Sequence, residues 1–255
     1  MCVLALAWRA HPRWQLVVMG NRDEYHARPA APLARWDDHD HILAGRDLQS
    51  GGTWLGASEQ GRFTVVTNLR GYGMPESDRP SRGALVTDLL DGADPDKVTI
   101  DAYNPVNLIH IVGDQARFLS NRPAPVRTGL SPGLYGLSNG ALDEPWPKTL
   151  RIKSILLDWL TGDSGQPEHL FDGLREEVLP DIGIDPAIAS DVPQEPNHSP
   201  IFIRNPVYGT RCSSVVAIDR NGSGVFFERR FSAEGAVEGN SQLSFDWPRV
   251  ADIRS

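Results

Sequence analysis

The chain has 255 residues and a formal net charge of -8, with no basic cluster long enough for general nucleic-acid binding. Its two cysteines, Cys2 and Cys212, are too few for a disulfide framework and fit a reducing, cytoplasmic setting. No stretch approaches the roughly 20 apolar residues of a membrane span, and no basic region precedes the N-terminal apolar run as in a signal peptide.

Residues 2–8 read as a buried strand and residues 14–20 as a second, joined by a hairpin loop over 9–13. A loop rich in Pro and His is expected over 26–41. Residues 51–58 and 62–68 form the next pair of strands, turning at Glu59-Gln60-Gly61, where Gly61 supplies a positive φ. Ser81 opens a helix that runs to about Leu90. A third hairpin joins 106–112 to 116–120 across Gly113-Asp114-Gln115. Helices are expected over about 147–160, where Leu150, Ile152, Ile155, Leu156, Trp159 and Leu160 recur at helical spacing, and over 168–178. Residues 180–198 carry five prolines and asparagines and read as loop. Strands at 201–204, 210–219 and 224–231 close the chain. Hairpins with helices inserted between them are not the alternation of a parallel α/β sheet. The expectation is an α+β chain of mixed, mainly antiparallel sheets with helices on their outer faces, forming one domain over 1–255 without internal repeats.

Cys2 stands directly behind Met1. If that methionine is removed, one residue carries a nucleophilic thiol and an α-amine of pKa about 7.7–8.0 that can act as its base. The plainer reading is a small buried hydrophobe at the start of a strand. Asn21-Arg22-Asp23-Glu24 ends the second apolar segment, where a hairpin brings it beside Cys2. An arginine there lowers the thiol pKa and a carboxylate holds the amine; otherwise the run is a solvated turn. Neighbouring strand residues face opposite sides, so a regular strand presents either Arg22 with Glu24 or Asn21 with Asp23.

Asn68, in Thr67-Asn68-Leu69-Arg70-Gly71, and Asn139, in Leu137-Ser138-Asn139-Gly140, sit at a strand end and in a loop, where a side-chain amide can stabilise an oxyanion or simply make a turn. Arg211 enters an otherwise small and apolar segment. Gly45–Gly56 is glycine-dense but lacks the ending of a phosphate loop and the dinucleotide fingerprint. His39 and His41 flank Asp40 without partners at metal-binding spacing, so this segment is read as a solvated loop and no metal is expected. Only Lys97, Lys148 and Lys153 are lysines; the other 22 basic residues are arginines, the side chain that grips carboxylates and phosphates with a planar fork.

Taken in order, Met1-Cys2, Asn21-Arg22-Asp23-Glu24, Arg28-Pro29, Ala44-Gly45-Arg46-Asp47, Gly51-Gly52-Thr53-Trp54-Leu55-Gly56, Thr67-Asn68-Leu69-Arg70, Ser81-Arg82-Gly83, Leu137-Ser138-Asn139 and Tyr208-Gly209-Thr210-Arg211 resemble the NRDE family, which includes the transport and Golgi organisation protein 2-like proteins. The same order looks like the cysteine branch of the N-terminal-nucleophile hydrolases, with penicillin V acylases and bile salt hydrolases. That resemblance implies a four-layer αββα sandwich and a site of Cys2, Arg22, Asp23 or Glu24, Asn68, Asn139 and Arg211. It implies a cysteine amidohydrolase acting on a non-peptide C–N amide bond of a small or acylated substrate, with no cofactor required. The rival implication is a non-catalytic carrier of haem or an acyl-CoA or lipid, with Trp8 and Trp54 lining the cleft and arginines, Arg70 among them, gripping propionates or phosphates. Neither the ligand nor the oligomeric state is legible in the sequence.

Overall fold

The computed structural model describes residues 2–162, 165–179, 181–196 and 198–248. Two sheets stack face to face. The six-stranded sheet contains β1 (Cys2–Trp8), β2 (Trp14–Tyr25), β10 (Gly133–Leu137), β11 (Tyr208–Asp219), β12 (Ser223–Phe231) and β13 (Val237–Asp246), in the order β10-β1-β2-β11-β12-β13. The seven-stranded sheet runs in chain order through β3 (Ala30–Trp36), β4 (His39–Asp47), β5 (Leu55–Ser58), β6 (Arg62–Asn68), β7 (Val106–Val112), β8 (Gln115–Ser120) and β9 (Val126–Gly129). Every strand pairing is antiparallel.

Alternation along the strands divides the core. Leu4, Leu6 and Trp8 of β1 and Leu16 and Val18 of β2 point between the sheets, meeting Leu55, Phe63, Val65 and Ile109 of the opposite sheet. Val3, Ala5, Val17 and Met19 point outward, onto α2 (Pro147–Thr161) and α3 (Leu170–Leu174). The other sheet is covered by α1 (Arg82–Leu90), whose Leu85, Val86, Leu89 and Leu90 pack on Ile42, Ala44, Val66 and Leu108. The layers are therefore helix, sheet, sheet, helix. No described helix is long and apolar enough to cross a membrane.

The sequence reading locates most of these elements, with corrections. β2 does not stop at residue 20 but continues to Tyr25, so Asn21–Glu24 lies within a strand. The segment 26–41, expected as loop, holds β3 and the start of β4, and His39 and His41 pair with Asp91. The strand expected over 51–58 is only Leu55–Ser58, and the second late helix shrinks to Leu170–Leu174 after a 3-10 turn. Residues 201–204 are not a strand. β3, β4, β9, β10 and β13 were not anticipated. Ser81 caps α1 as expected, accepting a hydrogen bond from the Ala84 nitrogen at 3.3 Å.

Gly52 permits the approach of α1 to the second sheet. A Cβ there would overlap the Gly83 carbonyl and come within 2.6 Å of the Ala84 nitrogen. The Thr53 nitrogen donates to the Gly83 carbonyl at 3.2 Å, fixing Arg82, the first residue of the helix, over the end of the sheet.

Candidate active site

One end of the inter-sheet space opens into a cavity of about 540 Å³. Cys2 lies in its wall, at the start of β1, on the face that carries Leu4 and Leu6 toward the opposite sheet. In register, Cys2 and Cys212 both stand opposite Arg22, on the strands flanking β2. Two strand spacings place their Cα atoms about 10 Å apart, beyond the roughly 7 Å reach of a disulfide, and both are free thiols. Burial pushes the Cys2 thiol up from its ordinary pKa; the main-chain N–H of Asp23 and the charge of Arg22 pull it down. Burial raises the Cys212 thiol strongly, and the carboxyl of Glu228 raises it further.

The alternation of β2 separates its four polar residues. Arg22 and Glu24 share the face of Cys2, whereas Asn21 and Asp23 face the helix layer. Arg22 Nη2 lies 3.2 Å from Asp47 Oδ2 and 3.6 Å from Glu24 Oε2. Arg28 Nε donates to the same Asp47 oxygen at 2.6 Å, while Asp47 Oδ1 accepts from the nitrogens of Gln49 and Ser50 at 3.0 and 3.1 Å. Asp47 thus anchors two arginines and a tight turn at once.

On the other face, Asn21 is a structural tie. Its Nδ2 donates to the carbonyls of Leu174 and Ile201 at 2.9 and 2.8 Å, and its Oδ1 accepts from Ser213 Oγ at 2.6 Å. Asp23 Oδ1 accepts from Thr210 Oγ1 at 2.6 Å. Burial pushes the Asp23 carboxyl up to about 6, opposed by the charge of Lys148. Lys148, in the first turn of α2, is itself pushed down to about 8 by burial, with Asp23 acting against that shift. Its Nζ donates to Ser199 Oγ at 3.1 Å.

The pairing of β2 with β11 slips by one residue between Thr210 and Cys212. That bulge leaves Arg211 unpaired in the ladder and re-aims it. Its Nη1 donates to the carbonyls of Tyr25, His26 and Arg28.

Cys2, Arg22, Asp23, Glu24, Asn68, Arg211 and Trp54 all line the cavity. Asn139 is buried beside it: its Nδ2 donates to the Asn68 carbonyl at 2.8 Å, and neighbouring Ser138 Oγ donates to the Cys2 carbonyl at 2.8 Å. Trp8 and Arg70 lie elsewhere. Trp8 is at the far end of β1, about 20 Å along the strand, and is packed into the inter-sheet core. Arg70 is buried against Trp146 and lies 3.8 Å from Glu195. Neither lines the cavity. The sequence reading missed Asp47, Arg82, Lys148 and Glu228. Asp47 and Arg82 stood inside motifs noted only for their order, and Lys148 stood out only as one of three lysines beside 22 arginines.

A family model described as Transport and Golgi organisation 2 matches residues 1–233. A Homo sapiens relative, described as a transport and Golgi organization protein 2 homolog, is 31% identical over 258 residues, covering 90% of this chain and 92% of its own. Among solved structures, a Caenorhabditis elegans ortholog of N-acylethanolamine-hydrolyzing acid amidase superposes with a TM-score of 0.51 at 12% identity, over 84% of this chain and 92% of that one. The C2A mutant of a conjugated bile acid hydrolase from Clostridium perfringens superposes with a TM-score of 0.53 at 8% identity, over 96% and 92%. At these identities the two likenesses show the fold alone, that of the N-terminal-nucleophile hydrolases.

Proposed function

The chain belongs to the Transport and Golgi organisation 2 family, and from that premise we propose that it is an N-terminal-cysteine amidohydrolase cleaving a non-peptide amide of a small or acylated substrate. The observation that carries this reading is the position of Cys2. It stands in the wall of an open cavity, beside Arg22 and against the main-chain N–H of Asp23.

Because burial holds the thiol toward its protonated form, attack needs a base, and removal of Met1 supplies one in the Cys2 α-amine. The amine takes the thiol proton as sulfur attacks the carbonyl. The side-chain amides of Asn68 and Asn139 donate to the resulting oxyanion. The α-ammonium then protonates the departing amine, leaving an acyl-thioester. Water, deprotonated by the same amine, hydrolyses that thioester and returns the thiol. Asp23, close enough to influence the thiol electrostatically, orients the amine.

A non-catalytic carrier of haem or an acyl-lipid is the second reading, favoured by the size of the cavity and its arginines. The donor set does not suit haem iron: no histidine lines the cavity among the described residues, and burial keeps both thiols toward the neutral form. The deciding experiment has two parts, the intact mass of the purified protein and a screen of N-acyl amides with wild type and Cys2→Ser. Loss of one methionine and turnover abolished by Cys2→Ser support the hydrolase. A retained Met1, or ligand binding without turnover that survives Cys2→Ser, overturns it.

A further inference from the structure

Seven arginines and five carboxylates line the cavity, in a chain whose net charge is -8. Five of those arginines lie no farther than 3.9 Å from a carboxylate oxygen: Arg22 and Arg28 on Asp47, Arg46 on Asp38, Arg79 on Glu76, and Arg230 on Glu228. Among the described residues, Arg82 and Arg211 have no such partner. Arg82 Nη1 donates to the Pro105 carbonyl at 2.9 Å. Arg211 Nη1 donates to three carbonyls at 2.9, 3.0 and 2.8 Å. Main-chain carbonyls orient a guanidinium without neutralising it, and the charge of Glu24, which acts on both from beyond ion-pair distance, is shared with the nearer Arg22 and Arg28. The two also come from opposite layers, Arg211 from β11 and Arg82 from the helix that covers β5 and β6.

We propose that Arg82 and Arg211 hold a carboxylate of the substrate between them, so that the amide brought to Cys2 belongs to a carboxylate-bearing compound. This rests on reading the cavity as the substrate site of Cys2. A guanidinium fork matches a carboxylate edge to edge, through two parallel charge-assisted hydrogen bonds. Burial weakens the hold of both guanidinium groups on their charge, and an anion between them restores it. The carboxylates in the wall oppose a highly charged oxyanion and favour a singly charged one.

The test needs no known substrate. Iodoacetate and iodoacetamide alkylate thiols alike but differ by a carboxylate. Their relative rates at Cys2, read by peptide mass mapping to separate it from Cys212, are compared with their relative rates at glutathione. The proposal expects a preference for iodoacetate at Cys2 about tenfold above that of glutathione, a gain equal to ~1.4 kcal/mol. Arg82→Gln should bring the preference back to that of glutathione, and Arg117→Gln, on a half-buried arginine of β8 outside the cavity, should leave it unchanged. A wild-type preference equal to that of glutathione, or one that survives Arg82→Gln, overturns the proposal. If Arg82→Gln fails to fold, Arg82→Lys takes its place and should reduce the preference. If Cys2 reacts with neither reagent, the hydrolase reading fails. The carboxylate site then stands or falls by calorimetry of N-acetylglycine against N-acetylglycinamide: selective binding of the acid sustains it, and equal or absent heats end it.

Discussion

Arg22 and Asp47 form an ion pair at 3.2 Å that joins the two sheets, one residue on β2 and the other at the end of β4. Both side chains are largely buried, 11% and 14% exposed, so water screens the pair little. Asp47→Ala strips the carboxylate from Arg22 and Arg28 and removes the acceptor of the Gln49 and Ser50 nitrogens. The expected loss is about 2 kcal/mol, from the two orphaned main-chain nitrogens and the weakened pairing that Glu24 still gives the arginines at 3.6 and 3.8 Å, read as a lower urea midpoint at unchanged slope. A loss near zero would show that solvent replaces the carboxylate.

Asn139 presses its amide onto the Asn68 carbonyl beside Cys2. Under the proposed mechanism, Asn139→Ala should lower kcat by about 10²–10³ while leaving a measurable enzyme. Steady-state kinetics on any substrate found in the amide screen checks this. Full activity removes Asn139 from the oxyanion site.

The Asp23 carboxyl has an ordinary pKa of 3.8 and sits at about 6 in the fold. Its folded value is the higher one, so the native state binds the proton more tightly than the unfolded chain. This group therefore favours folding at low pH. Its contribution falls as pH rises from about 4 to about 6 and is flat above that window. Wild type should lose stability relative to Asp23→Asn across that interval, measured as paired urea midpoints at several pH values. If ionised Asp23 orients the amine, turnover gains an acid limb near pH 6 that Asp23→Asn abolishes.

Gly52→Ala tests the seat of α1. The new methyl overlaps the Gly83 carbonyl, so the helix must lift and carry Arg82 with it. An overpacking cost of about 2 kcal/mol is expected, a drop in Tm of ~4–8 °C at this chain length. Thermal unfolding followed by circular dichroism reads it, and an unchanged Tm would mean that the contact is soft.

The sequence showed central strands better than edges. β3, β9, β10 and β13 are the outermost strands of the two sheets, and none was anticipated; the inner strand β4, which begins in the Pro- and His-rich run, was missed as well. An edge strand packs little apolar surface, so its residues carry little signal: all four of β9 are exposed, and β13 alternates exposed with half-buried positions along most of its length. Pro32 in β3 points to loop in a linear reading, yet an edge strand tolerates a residue without an N–H. Cys2, Arg22 and Asn68 were legible because each sits at the end of an apolar strand. Asp47, Arg82 and Glu228 were not, because their meaning lies in partners across the sandwich: Glu228 accepts from the Leu33 nitrogen, 195 residues away. Trp8 misled for the opposite reason. An aromatic residue on the strand of Cys2 suggests a shared wall, but the length of that strand carries it to the other end of the core.

The cavity is a seam. Cys2, Arg22 and Arg211 ride on one sheet, whereas Asp47, Asn68 and Arg82 ride on the other or on the helix seated against it. Sliding one sheet past its neighbour by a fraction of a side chain keeps every strand hydrogen bond intact but shears these two groups apart. The tryptophan that takes no part in the cavity thereby acquires a mechanical office. Wedged between the sheets at the distant end, Trp8 helps to hold the alignment on which the opposite end depends.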